Sequence, residues 1–183
     1  MKLIRLTPEL IPEWVAAHKR ALADGTLPSV NAEEILMSIE TDLEKYLAKQ
    51  HDPLALGGDV PMPDGTFVRR IPGISWVMWD GEVCGQVGFR WQNGTTDLPE
   101  TCLGHIGYWI FEWKRGYGYA TKALELILSE PRKIGMPYVD LSTDIENFAS
   151  QAVIKNNDGA LVKEFTLPDQ HGGGRALLWR IYL

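Results

Sequence analysis

The chain has 183 residues, 45% of them hydrophobic and 23% charged, with a net charge of −6 and a pI near 5.2. That length suits one domain with a sizeable core, and the acidic balance argues against nucleic acid as a main partner, because phosphate contacts need a basic face. No run reaches the length of a membrane span, the start lacks the long apolar segment of a signal peptide, and two cysteines without metal spacing, Cys84 and Cys102, argue against a metal centre and read as reduced thiols of a cytoplasmic protein.

In chain order, residues 2–6 read as an edge strand. Thr7-Pro8-Glu9 reads as a helix start with proline in the first turn. Leu10, Trp14, Ala17 and Ala21 form its apolar stripe, and Gly25 and Pro28 break it. Asn31-Ala-Glu-Glu34 has the form of a capping box and opens one helix with Ile35, Ile39, Leu43, Tyr46 and Leu47 on one side. Between Glu9 and Asp64 acidic residues outnumber basic ones, a field that would draw a cationic amine. Solvated helix faces explain the same excess equally well.

Residues 51–73 are rich in proline and glycine and lack periodicity, so they form a long loop of the kind that often borders a site. From Ile74 the pattern becomes strand-like. Residues 74–79 meet the hairpin signal Asp80-Gly81, residues 82–91 return, and Asn93-Gly94 opens a further turn and loop. Residues 103–111 form the next strand, with His105, Gly107, Trp109 and Phe111 on one face and Ile106, Tyr108 and Ile110 on the other. A helix over 117–130 carries the stripe Ala120, Ala123, Leu124, Ile127 and Leu128 up to Pro131. A strand over 138–143, a helix capped by Asn147 and closed by Gly159, a strand over 160–165 and a last strand over 175–183 complete the chain.

The segment Gly104-His-Ile-Gly-Tyr-Trp-Ile-Phe-Glu-Trp-Lys-Arg-Gly-Tyr-Gly-Tyr-Ala-Thr121 runs from strand through a glycine turn into a helix. Free amides and the positive helix end at such a junction favour an anion. Arg115 adds a guanidinium suited to phosphate. A Walker loop requires Gly-Lys-Ser/Thr, whereas Tyr119 and Ala120 follow Gly118 here. A dinucleotide fingerprint requires a third glycine or alanine where Thr121 stands.

The spacing Arg115-x-x-Gly118-x-Ala120 instead resembles the acetyl-CoA motif of the GNAT acetyltransferase superfamily. The following strand, the Asn147-x-x-Ser150 helix start and the Gly159-Ala160 pair extend the resemblance over residues 74–166. It implies an α/β (α+β) fold: a mixed, mostly antiparallel sheet flanked by helices, with splayed central strands. It implies one acyl-CoA N-acyltransferase domain over 1–183 that moves an acetyl group from acetyl-CoA to a primary amine of a small molecule, without a metal. The alternative is an inactive fold that binds acyl-CoA as a sensor or interaction module. A homodimer is left open.

Carried over residue by residue, the resemblance places the coenzyme against Arg115, Gly116, Tyr117, Gly118, Tyr119, Ala120 and Thr121. The strand residues Trp109, Ile110 and Phe111 and the helix-start residues Asn147 and Ser150 would meet its pantetheine arm, with the Ile110 N–H as oxyanion donor. For proton transfer the residues are His105, Glu112 and Tyr108, with Asp140 a further base. Many family members carry a tyrosine in the helix after Asn147. Residues 152–156 offer none, so Tyr108, Tyr138 or water would take its place.

Overall fold

A computed structural model describes residues 1–26, 32–62, 65–168, 171 and 173–183. The expected cap Asn31 and the breaker Pro28 lie outside the described residues.

A short strand β1 (Lys2–Ile4) precedes a 3-10 turn over Pro8–Leu10 and helix α1 (Ile11–Ala23), which buries Trp14, His18 and Ala21. Where one helix was expected, two form: α2 (Ala32–Thr41) and α3 (Leu43–Gln50). Asp42 makes the break, because its carboxylate accepts the Lys45 N–H and restarts the helix as an N-cap. Among its described residues the long loop holds three two-residue strands, β2 (His51–Asp52), β3 (Val60–Pro61) and β4 (Phe67–Val68). Buried Asp52 ties it down by accepting the N–H groups of Leu56 and Gly57.

Strands β5 (Gly73–Trp79), β6 (Val83–Arg90) and β7 (Ile106–Ile110) pair antiparallel in sequence order, with β1 and β2 both on β5. Helix α4 (Tyr119–Ile127) follows, then α5 (Ser129–Lys133), β8 (Tyr138–Asp144), α6 (Phe148–Lys155), β9 (Ala160–Thr166) and β10 (Arg175–Tyr182). The last three strands make a second antiparallel sheet in the order β8-β10-β9. The 117–130 helix thus starts later than expected and breaks at Leu128, leaving Pro131 buried inside α5. Gly159 does not supply the left-handed residue after α6; Asp158 does, at φ 61°. Gly159 is needed for contact instead, since a Cβ there would run into Ile154.

Two hydrophobic layers hold the sheets. On one side of β5–β7, Ile74, Met78, Val87, Phe89 and Ile106 pack with Leu124 and Ile127 of α4 and with Val139, Leu141, Trp179 and Ile181 of the second sheet. On the other side, Val77, Val83 and Phe111 pack with Trp14, Ile39 and Tyr46 of the N-terminal helices. Burial of these side chains, at about 1.5–3 kcal/mol each, fixes the register of β5–β7, because a one-residue slip would turn them to the wrong face.

Candidate active site

The glycine turn sits where the sequence places it. Gly116 and Gly118 have φ of 82° and 74°, and Gly118 is the N-cap of α4 with no side chain to cap the helix. The amides of the first helical turn therefore point out unpaired by the helix. A Cβ at either glycine would meet no protein atom, so the space beside the turn is open. Asp80, in the β5–β6 turn, braces this loop: it accepts from Tyr119 Oη at 2.7 Å and from Lys114 Nζ at 3.0 Å. The Tyr119 hydroxyl and then Lys114 hold the Asp80 carboxyl well below the usual carboxylate range. Lys114 is also paired with Glu82 at 2.9 Å, which leaves Arg115 the free cation of the turn among the described residues.

The two sheets touch at one end and part at the other. At the closed end the His105 N–H donates to the Asp140 carbonyl, and Ser142 Oγ donates to the Leu103 carbonyl. Gly104 allows this approach, because a Cβ there would stand 2.9 Å from the Asp140 oxygen. Further along, β7 and β8 share no ladder, and a cleft of about 500 Å³ opens beside β7, between the glycine turn and the α6 region. Its walls are Tyr108, Trp109 and Ile110 of β7, the turn from Lys114 through Thr121, and Asn147, Ser150 and Val153 of the α6 region.

Backbone direction along β7 decides which amides reach this gap. Arg90 N–H donates to the His105 carbonyl and Phe111 N–H donates to the Cys84 carbonyl, so the odd-numbered residues of β7 are engaged with β6. The N–H and C=O groups of Tyr108 and Ile110 consequently face the open side. At Gly85, paired with Ile110, a Cβ would collide with the Trp109 carbonyl, so glycine is required for β6 and β7 to lie this close.

Of the residues expected at the coenzyme, the cleft gathers Trp109, Ile110, Arg115, Gly116, Gly118, Tyr119, Ala120, Thr121, Asn147 and Ser150. Phe111 is instead fully buried in the α1 layer, with its N–H taken by Cys84, and the Tyr117 ring projects into solvent against Tyr119. Asn147 caps α6 through the Ser150 N–H, as its position predicts.

Of the three residues expected to move protons, Tyr108 alone lines the cleft. Its hydroxyl donates to the Ser150 carbonyl at 3.3 Å, and burial pushes its pKa up to about 12. Glu112 lies exposed on the 3-10 turn Glu112–Lys114, outside the cleft walls. His105 is 1% exposed and also outside them. Its Nδ1 accepts the Asp140 N–H at 2.9 Å, so that nitrogen carries no proton and the ring is neutral. Burial lowers its pKa, against an opposing pull from Asp140. Asp140 is occupied by a bidentate pair with Arg180. Cys84 is buried and its thiol pushed up to about 12, chiefly by burial, which removes it as a nucleophile.

A second cavity of about 530 Å³ lies on the opposite face of β7 and shares Tyr108 and Trp109 with the cleft. Register explains its shape: Ser75, Gly88 and Gly107 stand in one cross-strand row, so the sheet has a hollow there. Residues Val60, Met62, Val68, Arg69, Arg70 and Ile71 of the long loop, with Pro99 of the 93–100 loop, form the rim. Among the described residues, the charged ones lining it are Lys49, Arg69, Arg70 and Arg90, none of them acidic. Sequence reasoning did not single out Arg90, which stands diagonal to Gly107 across β6 and β7, because Gly107 pairs with Gly88.

A family model described as an acetyltransferase (GNAT) domain matches residues 61–159. No curated protein sequence gives a significant match. Among solved structures, the microcin C7 self-immunity acetyltransferase MccE, in complex with acetyl-CoA and AMP, superposes with a TM-score of 0.62 at 12% identity, covering 99% of this chain and 91% of that one. RimL, a ribosomal L7/L12 alpha-N-protein acetyltransferase in complex with coenzyme A, gives a TM-score of 0.62 at 12% identity, covering 99% and 93%. A ribosomal-protein-alanine N-acetyltransferase from Brucella melitensis gives 0.57 at 15% identity, with 100% of both chains covered. At such identities the likeness is one of architecture. The family match spans more than half of the chain and includes β7, the glycine turn, α4 and α6, and on that match this protein belongs to the GNAT acetyltransferase family.

Proposed function

We propose that this protein is an N-acetyltransferase that transfers the acetyl group of acetyl-CoA to a primary amine of a small molecule, by direct attack in a ternary complex. The observation that carries this reading is that two cavities, one beside an anion-binding helix start and one in a polar hollow of the sheet, share the wall Tyr108–Trp109. A coenzyme in the first and an amine in the second would meet at that wall. The hollow's volume lies within the range usual for small-molecule sites. MccE and RimL, which share the architecture, are solved with acetyl-CoA and coenzyme A.

Acetyl-CoA supplies a thioester-activated acetyl group. The protein's part is placement and charge. The first-turn amides of α4 and the Arg115 guanidinium hold the pyrophosphate. The Ile110 N–H, turned to the gap, donates to the thioester oxygen as charge builds there. Tyr108, protonated throughout the working pH range, donates its proton to the departing thiolate and regains one from the attacking nitrogen, which sheds it as the amide forms. No carboxylate of the described residues lines the hollow, so the acceptor loses its ammonium proton to water, helped by the surrounding cations, which favour the neutral amine.

The test is CoA release from acetyl-CoA across a panel of primary amines, with acetyl-CoA affinity measured in parallel by calorimetry. Turnover with at least one small amine, and kcat/KM rising with pH according to the acceptor's own pKa, are expected. Tight acetyl-CoA binding without CoA release for any amine would mark the protein as a sensor instead.

A further inference from the structure

We infer that the acceptor is an anionic amine, a small molecule that carries a carboxylate or a phosphate beside its primary amine, and that Arg90 is the residue that binds the acid group. This inference rests on the acetyltransfer reading above and names the substrate class of its second cavity.

The cavity concentrates positive charge in a protein that is acidic as a whole. Lys49, Arg69, Arg70 and Arg90 line it, against a net charge of −6 for the chain. Among the described residues, the one carboxylate within ion-pair distance of them is Asp52, 3.9 Å from Arg70 Nε and engaged with two backbone N–H groups. Arg70 Nε also donates to the Gly58 carbonyl. Arg90, Arg69 and Lys49 meet no carboxylate among the described residues.

Arg90 occupies a built seat. Its Nη2 lies where a side chain of the neighbouring strand would go, 2.9 Å from a Cβ placed on Gly107. It is half-buried at the floor of the hollow, and it also borders the passage along β7 and β8 that reaches Asn147 and Ser150. Its charge is felt as far as the His105 ring, where it works against protonation. A half-buried guanidinium without a counter-charge has lost part of its hydration and gained nothing in return. A planar oxyanion restores both, through two parallel N–H···O bonds of a kind that carboxylate and phosphate each accept. Because Arg90 and the wall Tyr108–Trp109 belong to the same cavity, one small molecule can reach both with its acid group and its amine.

The experiment compares matched acceptors that differ only in the acid group: glycine with methylamine, β-alanine with ethylamine, and phosphoethanolamine with ethanolamine. A diamine and a short peptide with a free N-terminus complete the panel. CoA release is measured for wild type and R90Q, together with calorimetric binding of each amine to the CoA-saturated protein. The expected result is an anionic acceptor preferred over its neutral partner by about tenfold or more in kcat/KM, with that preference lost in R90Q while acetyl-CoA affinity is retained. The glycine and β-alanine arms identify a carboxylate, and the phosphoethanolamine arm a phosphate. Preference for a neutral amine, the diamine or the peptide overturns the inference while leaving acetyltransfer intact. Anion binding that depends on Arg90, without CoA release, upholds the subsite and overturns acetyltransfer. Absence of both overturns both.

Discussion

His105 and Asp140 exchange two hydrogen bonds: the Asp140 N–H donates to His105 Nδ1 at 2.9 Å, and the His105 N–H donates to the Asp140 carbonyl at 2.7 Å. This pair closes one end of the gap between the two sheets. An imidazole in that position works as a hinge pin whose neutrality is part of the bond, because a protonated Nδ1 would face the Asp140 N–H with a second donor.

Removing the pin should therefore cost stability before it costs chemistry. His105→Ala leaves a buried N–H without its acceptor, a loss of about 1–3 kcal/mol. Melting temperature should fall, while kcat per folded molecule and the acidic limb of kcat/KM stay in place. Disappearance of that limb, with acetyl-CoA still bound, would instead establish His105 as the base.

The same residue makes stability depend on pH. Burial lowers the pKa of both His105 and His18 in the folded protein. Above about 6.5, the value for a free histidine, both states are neutral and stability is full. As pH drops below that value the unfolded chain binds protons that the folded one refuses, so stability falls until the lowered folded pKa is passed. Chemical denaturation between pH 8 and 5 should show this decline, with a shallower slope in His105→Ala. A slope unchanged by that substitution would remove His105 from the account.

Tyr108→Phe tests the leaving-group acid. The hydroxyl meets Ser150 across the cleft and belongs to a residue that also lines the acceptor hollow. Its removal should lower kcat by about 10², the low end for general acid catalysis because a thiolate leaves readily, with little change in acetyl-CoA affinity. A larger acceptor KM with unchanged kcat would reassign Tyr108 to acceptor binding.

The glycine turn makes a fourth forecast. Gly118 is left-handed, so Gly118→Ala costs about 1–2 kcal/mol of backbone strain. The new Cβ enters space that is open to the ligand and touches no protein atom. Acetyl-CoA affinity should fall by about tenfold or more, the scale of one lost charge-assisted hydrogen bond. Arg115→Ala should weaken binding less, since Arg115 is exposed and salt screens it. Wild-type affinity in both would mean that the turn is a helix start and nothing more.

Local chemistry was legible in the sequence because each signal acts within a few residues. Asp80-Gly81 makes the β5–β6 turn, Gly116 and Gly118 provide left-handed backbone before α4, and Asn147 caps α6. The alternation from Gly107 to Ile110 correctly separated the two faces of β7. The break at Asp42 was not legible, because its side chain overrides a continuous apolar stripe through one bond to Lys45. Gly159 misled for a related reason: its need for close contact with Ile154 arises only when α6 packs, while the neighbouring Asp158 takes the left-handed conformation.

The sequence by itself determined the main strands, the anion-binding turn with the helix after it, and the family resemblance, since these depend on residues adjacent in the chain. The tertiary structure decided which groups face the reaction. Pairing with β6 engages the amides of the odd-numbered residues of β7 and turns those of Tyr108 and Ile110 to the gap. Packing of β7 against β8 buries His105 away from the cleft that its pKa would otherwise suit. Sheet register sets the bare backbone of Gly107 under Arg90 and so turns an acidic chain basic at one cavity. Net charge is a sum over the whole chain, but a ligand meets only the charges that folding brings within a few ångströms of it.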